Sequence, residues 1–291
     1  MPLSTIEPDF EHDSRTYSNC LLVHRLVVMG IGEELLNRVT ELSASVLSHT
    51  CEVEDELREK SKSKVSIRKQ KDCYLISYQV TLLHLAAQYS SSSIVKVIVE
   101  AGADVNCHDD DGDTPLHYAA EHNDISVVKM LVDSGADVKA TDKNKHTPLL
   151  IAAKHSASAS VIALLIEIGA NIGARDDHER TPLHLAAEHN PSMMATLIAH
   201  KANVHLVDKD GWHPLHWAAF KNHVEAINAL LKGGANVNQL DKYYQASPLW
   251  SAARHNHCEA VTALLDAGAD PHPGESPLDD DDVKDELQQF P

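Results

Sequence analysis

The chain has 291 residues, 43% of them hydrophobic, and a net charge of -18. No apolar run approaches the roughly 18 to 20 residues that span a bilayer, so a soluble globular protein is expected. So acidic a surface excludes general nucleic-acid binding, because phosphates repel it and no counterion release rewards contact.

The first 19 residues form an N-terminal extension, and "MPLSTIEPDFEHD" lacks the basic, apolar and small-residue order of a secretory signal. The next stretch, 20–50, contains "CLLVHRLVVMGIGEELLNRVTELSASV". It predicts an apolar helix, a glycine turn and an amphipathic helix with Leu35, Leu36, Val39 and Leu42 on one face. Its "MGIG" has neither the third glycine nor the preceding strand of a nucleotide loop. Residues 51–80 read as a long basic insert. Arg58, Lys60, Lys62, Lys64, Arg68, Lys69 and Lys71 face only Glu59 there, which suits a solvated loop or a contact for an acidic partner or lipid. The alternating "KVSIRK" and "YLISYQV" predict a two-stranded ribbon around "QKD".

From residue 81 the chain repeats itself with a period of about 33 residues. The rows begin "TLLHLAAQYS", "TPLHYAAEHN", "TPLLIAAKHS", "TPLHLAAEHN", "HPLHWAAFKN" and "SPLWSAARHN", dividing the chain at 81–113, 114–146, 147–180, 181–212, 213–246 and 247–272. In the second row Thr114 caps a first helix, Pro115 suits its first position, and Leu116, Ala119 and Ala120 form a thin apolar face. A second helix follows with Ile125, Val128, Leu131 and Val132 inward, and Gly135 supplies its left-handed end. The polar remainder, "ADVKATDKNKH", is a finger-like loop to the next row. No row buries enough apolar surface alone, so stacking must supply the core. The fourth row is the weakest joint: it is short and places Lys201 where the other rows have glycine.

His117, Glu121 and His122 are the residue types of a zinc hydrolase, yet the same letters recur at 184, 188 and 189. Catalytic sites are rarely printed twice. His213, His216 and His223 make the best case for metal, but the first two belong to the repeat pattern and no carboxylate stands as base. No metal or cofactor is expected. The five cysteines, Cys20, Cys51, Cys73, Cys107 and Cys258, are scattered without paired spacing and suit a reducing, cytoplasmic or nuclear, compartment.

The Thr-Pro-Leu-His starts and the "GADV" endings resemble the ankyrin repeat family. The resemblance implies an all-α solenoid of helix-turn-helix units joined by β-turn fingers, and makes residues 20–50 a degenerate N-terminal copy. It gives His84, His117, His184 and His216 a bridging role, which Leu150 and Trp250 cannot fill. It also implies a protein-protein interaction module acting as scaffold, adaptor or inhibitor, not an enzyme, with its partner on a concave face of finger tips and first-helix ends. The positions so marked are Asp110, Asp111, Asp113, Glu121, His122, Lys154, His155, Asp177, His178, Arg180, Glu188 and His189. The fifth and sixth rows add Lys209, Trp212, Phe220, Lys221, Tyr243, Tyr244, Arg254 and His255. Trp212, Phe220, Tyr243 and Tyr244 sit where exposure is expected, as anchors of binding energy or, alternatively, packed on one another in place of turn residues such as the glycine replaced by Gln245. Asn106 and Asn238, ending "ADVN" and "ANVN", resemble asparagines that animal cells hydroxylate. An effector of an intracellular bacterium or virus is the alternative, since arrays with atypical ends occur there. Enzyme chemistry would have to lie in residues 1–80, which hold no nucleophile elbow, phosphate loop or clustered acid pair. The tail, 273–291, carries seven acidic residues against Lys284 and suits a cap helix or an acidic extension.

Overall fold

The computed structural model describes residues 75–271, apart from 77–79, 90, 101, 123–124 and 156–157. The expected degenerate repeat, the basic run from Arg58 to Lys71 and the tail lie outside the described residues. The chain forms two compact units, 1–104 and 105–291. In the first, β1 (Leu75–Ile76) pairs antiparallel with β2 (Val80–Thr81), Leu75 opposite Thr81. Of the expected ribbon, "KVSIRK" and "QKD" lie outside the described residues, and Leu75–Ile76 of "YLISYQV" pairs with Val80–Thr81 at its end. The ribbon leads into α1 (Leu82–Tyr89) and α2 (Ser92–Glu100), which pack together with Leu83, Ala86, Val95 and Ile98 buried.

Among the described residues the second unit contains five helix pairs. These are α3 (Pro115–His122) with α4 (Ile125–Asp133), α5 (Pro148–Lys154) with α6 (Ala159–Glu167), and α7 (Pro182–His189) with α8 (Met194–Ala199). Then come α9 (Pro214–Phe220) with α10 (Val224–Lys232), and α11 (Pro248–Arg254) with α12 (Cys258–Asp266). Each first helix packs on the next first helix and each second helix on the next second helix, giving two helical layers. Paired alanines such as Ala119–Ala120 and Ala152–Ala153 are fully buried, and their small size lets successive layers approach. Within α4 the buried face is Val127, Val128 and Leu131. Ile125, expected inside, is 43% exposed, and Val132 is half-buried. Helix α4 starts at Ile125 itself, so its first residue lies beside the stripe that the next turn sets.

A neutral imidazole closes each standard helix start. Thr114 N–H and the Thr114 hydroxyl both donate to His117 Nδ1, at 3.1 and 2.9 Å, while His117 Nε2 donates to the His146 carbonyl at 3.0 Å. His184 makes the same bonds to Thr181 and, at 3.1 Å, to the Trp212 carbonyl. His216 takes the His213 N–H and donates to the Ala246 carbonyl. Facing a carbonyl at one nitrogen and donors at the other, the ring has one workable tautomer and no place for a second proton. Burial accordingly lowers the pKa of His117 to about 4, of His184 to about 3 and of His216 to about 4. Where Leu150 and Trp250 stand instead, the cap hydroxyl turns round and accepts: Thr147 Oγ1 from Leu150 N at 3.3 Å, Ser247 Oγ from Trp250 N at 3.1 Å.

The second helices end in a left-handed residue. Gly135 at φ +94°, followed by Ala136 N–H bonding the Leu131 carbonyl at 3.0 Å, is the pattern. Lys201 holds this place after α8 at φ +70°. The helix before it is short and opens with a 3-10 turn, Pro191–Met193.

Two outcomes follow from these starts and ends. Lys201→Gly should raise stability by about 0.5–1 kcal/mol, seen as slower hydrogen exchange in α7 and α8; faster exchange would refute the strain. The histidines bind protons in the unfolded chain from about pH 6.5 downward but in the folded chain only near their lowered values. Their stabilisation is therefore complete above the ordinary histidine pKa and is lost as pH falls from there toward about 4, at about 1.4 kcal/mol per pH unit for each ring. Urea midpoints should drop steeply between about pH 6.5 and 5, less steeply in His184→Leu; a flat series contradicts the neutral-ring bridge.

Candidate functional site

Each finger is organised by a buried aspartate: Asp109, Asp142, Asp176, Asp208 and Asp241. One oxygen ties the finger's own turn. Asp208 Oδ1, for example, accepts from Asp210 N and Trp212 N at 3.0 and 2.9 Å. The other oxygen takes a side-chain donor that differs by repeat: Tyr118 hydroxyl at 2.8 Å, His146 Nδ1 at 2.9 Å, Arg180 Nε at 2.8 Å and Trp217 Nε1 at 2.8 Å. A buried carboxylate without such a donor would cost several kcal/mol. Neighbouring fingers are joined by backbone bonds, Lys143 N to Asp111 O, Asp177 N to Asn144 O and Lys209 N to His178 O, all near 3 Å.

The last of these fingers, which leads into the sixth repeat (hereafter the sixth finger), breaks this order. It runs six residues from Asp241 to Ala246, where Asp208–Trp212 has five, and its aspartate is reached by Tyr244 N and Ala246 N, one position later. No backbone bond joins Lys242 N to Asp210 O. Tyr243 and Tyr244 stand outward on this finger, 57% and 55% exposed.

The candidate positions fall into three groups. Asp111, Asp177, His178, Lys209, Tyr243 and Tyr244 are exposed on finger tips, Asp177 paired with Lys145 at 3.0 Å. Asp110 and Asp113 are half-buried, and burial, then Asp109 and neighbouring acids, push Asp113 up to about 7.

The helix-end group is drawn into contacts around two glutamates. Glu121 meets His155 at 3.3 Å and His122 at 3.9 Å, and Glu188 meets Arg180 and His189 at 3.2 Å and Lys221 at 3.6 Å. Arg180 also serves the Asp176 carboxylate, so it is scaffold as much as surface. Lys154 is half-buried, while Arg254 and His255 are exposed, with the Arg254 guanidinium 5.2 Å from the Trp250 ring. Burial lowers the pKa of His155 and His189, which opposes their charging in mild acid despite the nearby glutamates.

The third group corrects an expectation. Trp212 and Phe220 are half-buried, not exposed anchors: Trp212 lies 5.0 Å from Trp217 and 5.6 Å from Phe220, and Phe220 stacks edge-on against His255 at 4.6 Å. Gly211, which precedes Trp212, lies against Lys242, whose backbone and Cβ occupy the space a side chain would need. The exposed aromatic anchors are the two tyrosines.

Asn106 and Asn238 tie successive loops through bonds to Asp137 N and Asp270 N at 2.8 Å. His223 Nδ1 donates to the Ala187 carbonyl at 2.9 Å. Among the described residues no three His, Cys, Asp or Glu side chains gather as a metal cage, and no helix is long and apolar enough to cross a membrane.

Comparison with known proteins gives the same repeat. The family model described as ankyrin repeats (3 copies) matches residues 63–142, 135–208 and 189–274. Rabankyrin-5 of Mus musculus and of Homo sapiens are each 41% identical over 58 residues, 20% of this chain. The chain spans only 5% of the length of these curated relatives.

Trp212→Ala should cost about 2–3 kcal/mol by emptying the cluster, while Tyr243→Ala and Tyr244→Ala should change stability by no more than about 0.5 kcal/mol. Chemical denaturation of the three variants checks the division; equal losses would mean the tyrosines also pack.

Proposed function

Because this chain belongs to the ankyrin-repeat family, whose repeats are protein-protein interaction modules, we propose that it recognises a protein partner on its finger tips and first-helix ends, as a scaffold, adaptor or inhibitor. The observation that carries this reading is the sixth finger: two neighbouring tyrosines held outward on a loop whose base is fixed by the buried Asp241. Rigidly based exposed aromatics supply binding energy at low entropic cost. The helix-end ion pairs contribute orientation and discrimination more than affinity, since exposed pairs are worth about 0–1 kcal/mol each. No catalytic constellation competes with this reading among the described residues, and the family is typically non-enzymatic. The scattered cysteines support a cytoplasmic or nuclear setting.

Photocrosslinking from benzoylphenylalanine placed at His178, Lys209 or Tyr243, against Ala263 on the second-helix layer, tests the face. Protein adducts from the three finger positions and not from 263 are expected; adducts confined to 263 would reject it.

A further inference from the structure

Where the finger ladder breaks, the structure leaves an open groove of about 480 Å³ lined in part by Val207, Lys209, His213, Leu240, Lys242 and Tyr243. Three independent features make it unlike the other finger junctions. The backbone pair is unmade: no hydrogen bond joins Lys242 N–H to the Asp210 carbonyl, although each of the three preceding junctions has its equivalent. The two lysines are uncompensated as well. Among the described residues neither Lys209 nor Lys242 has a carboxylate within ion-pair distance, and Lys242 Nζ rests 5.2 Å from the Tyr243 ring. The acids of the lining are already occupied: Glu179 by Arg175 at 3.1 Å, and Asp208 by Trp217 and its own turn. Finally, His213 is 7% exposed, and its buried Nδ1 has no hydrogen-bond partner among the described residues.

Resting on the protein-binding reading above, we infer that this groove receives an extended segment of a partner in which an Asp or Glu side chain adjoins an aromatic or aliphatic one. The carboxylate lies between Lys209 and Lys242, and the apolar neighbour covers Tyr243, Leu240 and the 36% exposed Val207. The segment's backbone takes the place of the missing finger-to-finger bond at Lys242 N–H, as an added strand does at an open sheet edge. Charge complementarity selects the ligand. On a chain of net charge -18, Lys209 and Lys242, with no carboxylate within ion-pair distance among the described residues, stand beside two exposed tyrosines and offer an acidic side chain charge-assisted partners. The single inserted residue of the sixth finger is the device that creates the spot.

The test uses the full chain and a fluorescein-labelled ten-residue peptide, one Phe between two Glu in a Gly-Ser background, with Gln and Lys counterparts, read by anisotropy. The acidic peptide should bind at least about tenfold tighter than either counterpart. Lys209→Glu with Lys242→Glu should remove that preference at unchanged melting temperature, and Lys232→Glu on α10 should not. Deleting Tyr244 shortens the finger to the standard five residues, and should abolish binding while keeping or raising the melting temperature. Equal binding of the three peptides, or a preference indifferent to Lys209 and Lys242, overturns the inference. So does acidic-peptide binding that emerges only after Asp279, Asp280, Asp281 and Asp282 are changed to Asn, since the chain's own acidic stretch would then be the occupant. Finger crosslinks that persist without peptide discrimination would reject this chemistry alone, whereas their absence would reject the protein-binding reading itself.

Discussion

The array depends on an imidazole that must stay neutral. His117, His184 and His216 each close their own helix start through Nδ1 and reach the following finger's carbonyl through Nε2. One side chain therefore sets both the entry of a helix and the spacing to the next repeat, and the buried site cannot hold a second proton without breaking one of the two bonds. The third and sixth repeats show what is indispensable and what is not. With Leu150 or Trp250 in that place, a hydroxyl still caps the helix but the imidazole bond is gone; after the third repeat the bonds from Lys209 N to the His178 carbonyl and from Asn190 Nδ2 to the His155 carbonyl still join the layers.

The fingers obey a parallel rule with looser terms. The acceptor is always an aspartate, yet its second oxygen is met by tyrosine, histidine, arginine or tryptophan, arriving from either of two places in the repeat. In these four fingers a side-chain donor is present whatever its identity, whereas Asp241 is met by backbone donors at one oxygen. This has a consequence for recognition, because donors drawn from the finger and from the first helix are removed from the surface available to a partner. Arg180 is largely absorbed in this way, and Trp217 with Trp212 and Phe220 fills the space beneath the fifth finger.

Most of the scaffold was legible in the sequence because a stacked array repeats its constraints. The Thr-Pro-Leu-His starts located every first helix from α3 onward or its hydroxyl-capped substitute, and the glycines located the helix ends. The buried aspartates repeat just as regularly at 109, 142, 176, 208 and 241, and the same row alignment exposes them. Their donors escaped it because they have no common residue type. Burial on the finger face was less legible for a related reason: position in the repeat places a residue near the surface, but whether Trp212 turns in or Tyr243 turns out depends on the length of the following finger. The inserted residue shows only as "DKYYQA" against "DKDGW". Residue period also misplaced Ile125, the first residue of its helix, which is exposed.

A regular array is a poor discriminator, because every junction presents nearly the same geometry and a partner gains little from choosing one over another. Specificity has to come from departures, and those departures must be affordable to the stack. A change inside the helices would empty a close-packed layer, where the loss of even a methylene is felt. An added residue at a finger tip disturbs only the turn above its aspartate and one backbone bond to the neighbour, both at the solvent edge. The sixth finger makes that exchange: it gives up the bond between Lys242 N–H and Asp210 O, and presents instead two tyrosines, two unpaired lysines and an unused backbone donor at one junction. The stability lost is local to that junction, while the chemistry gained is found at no other finger among the described residues.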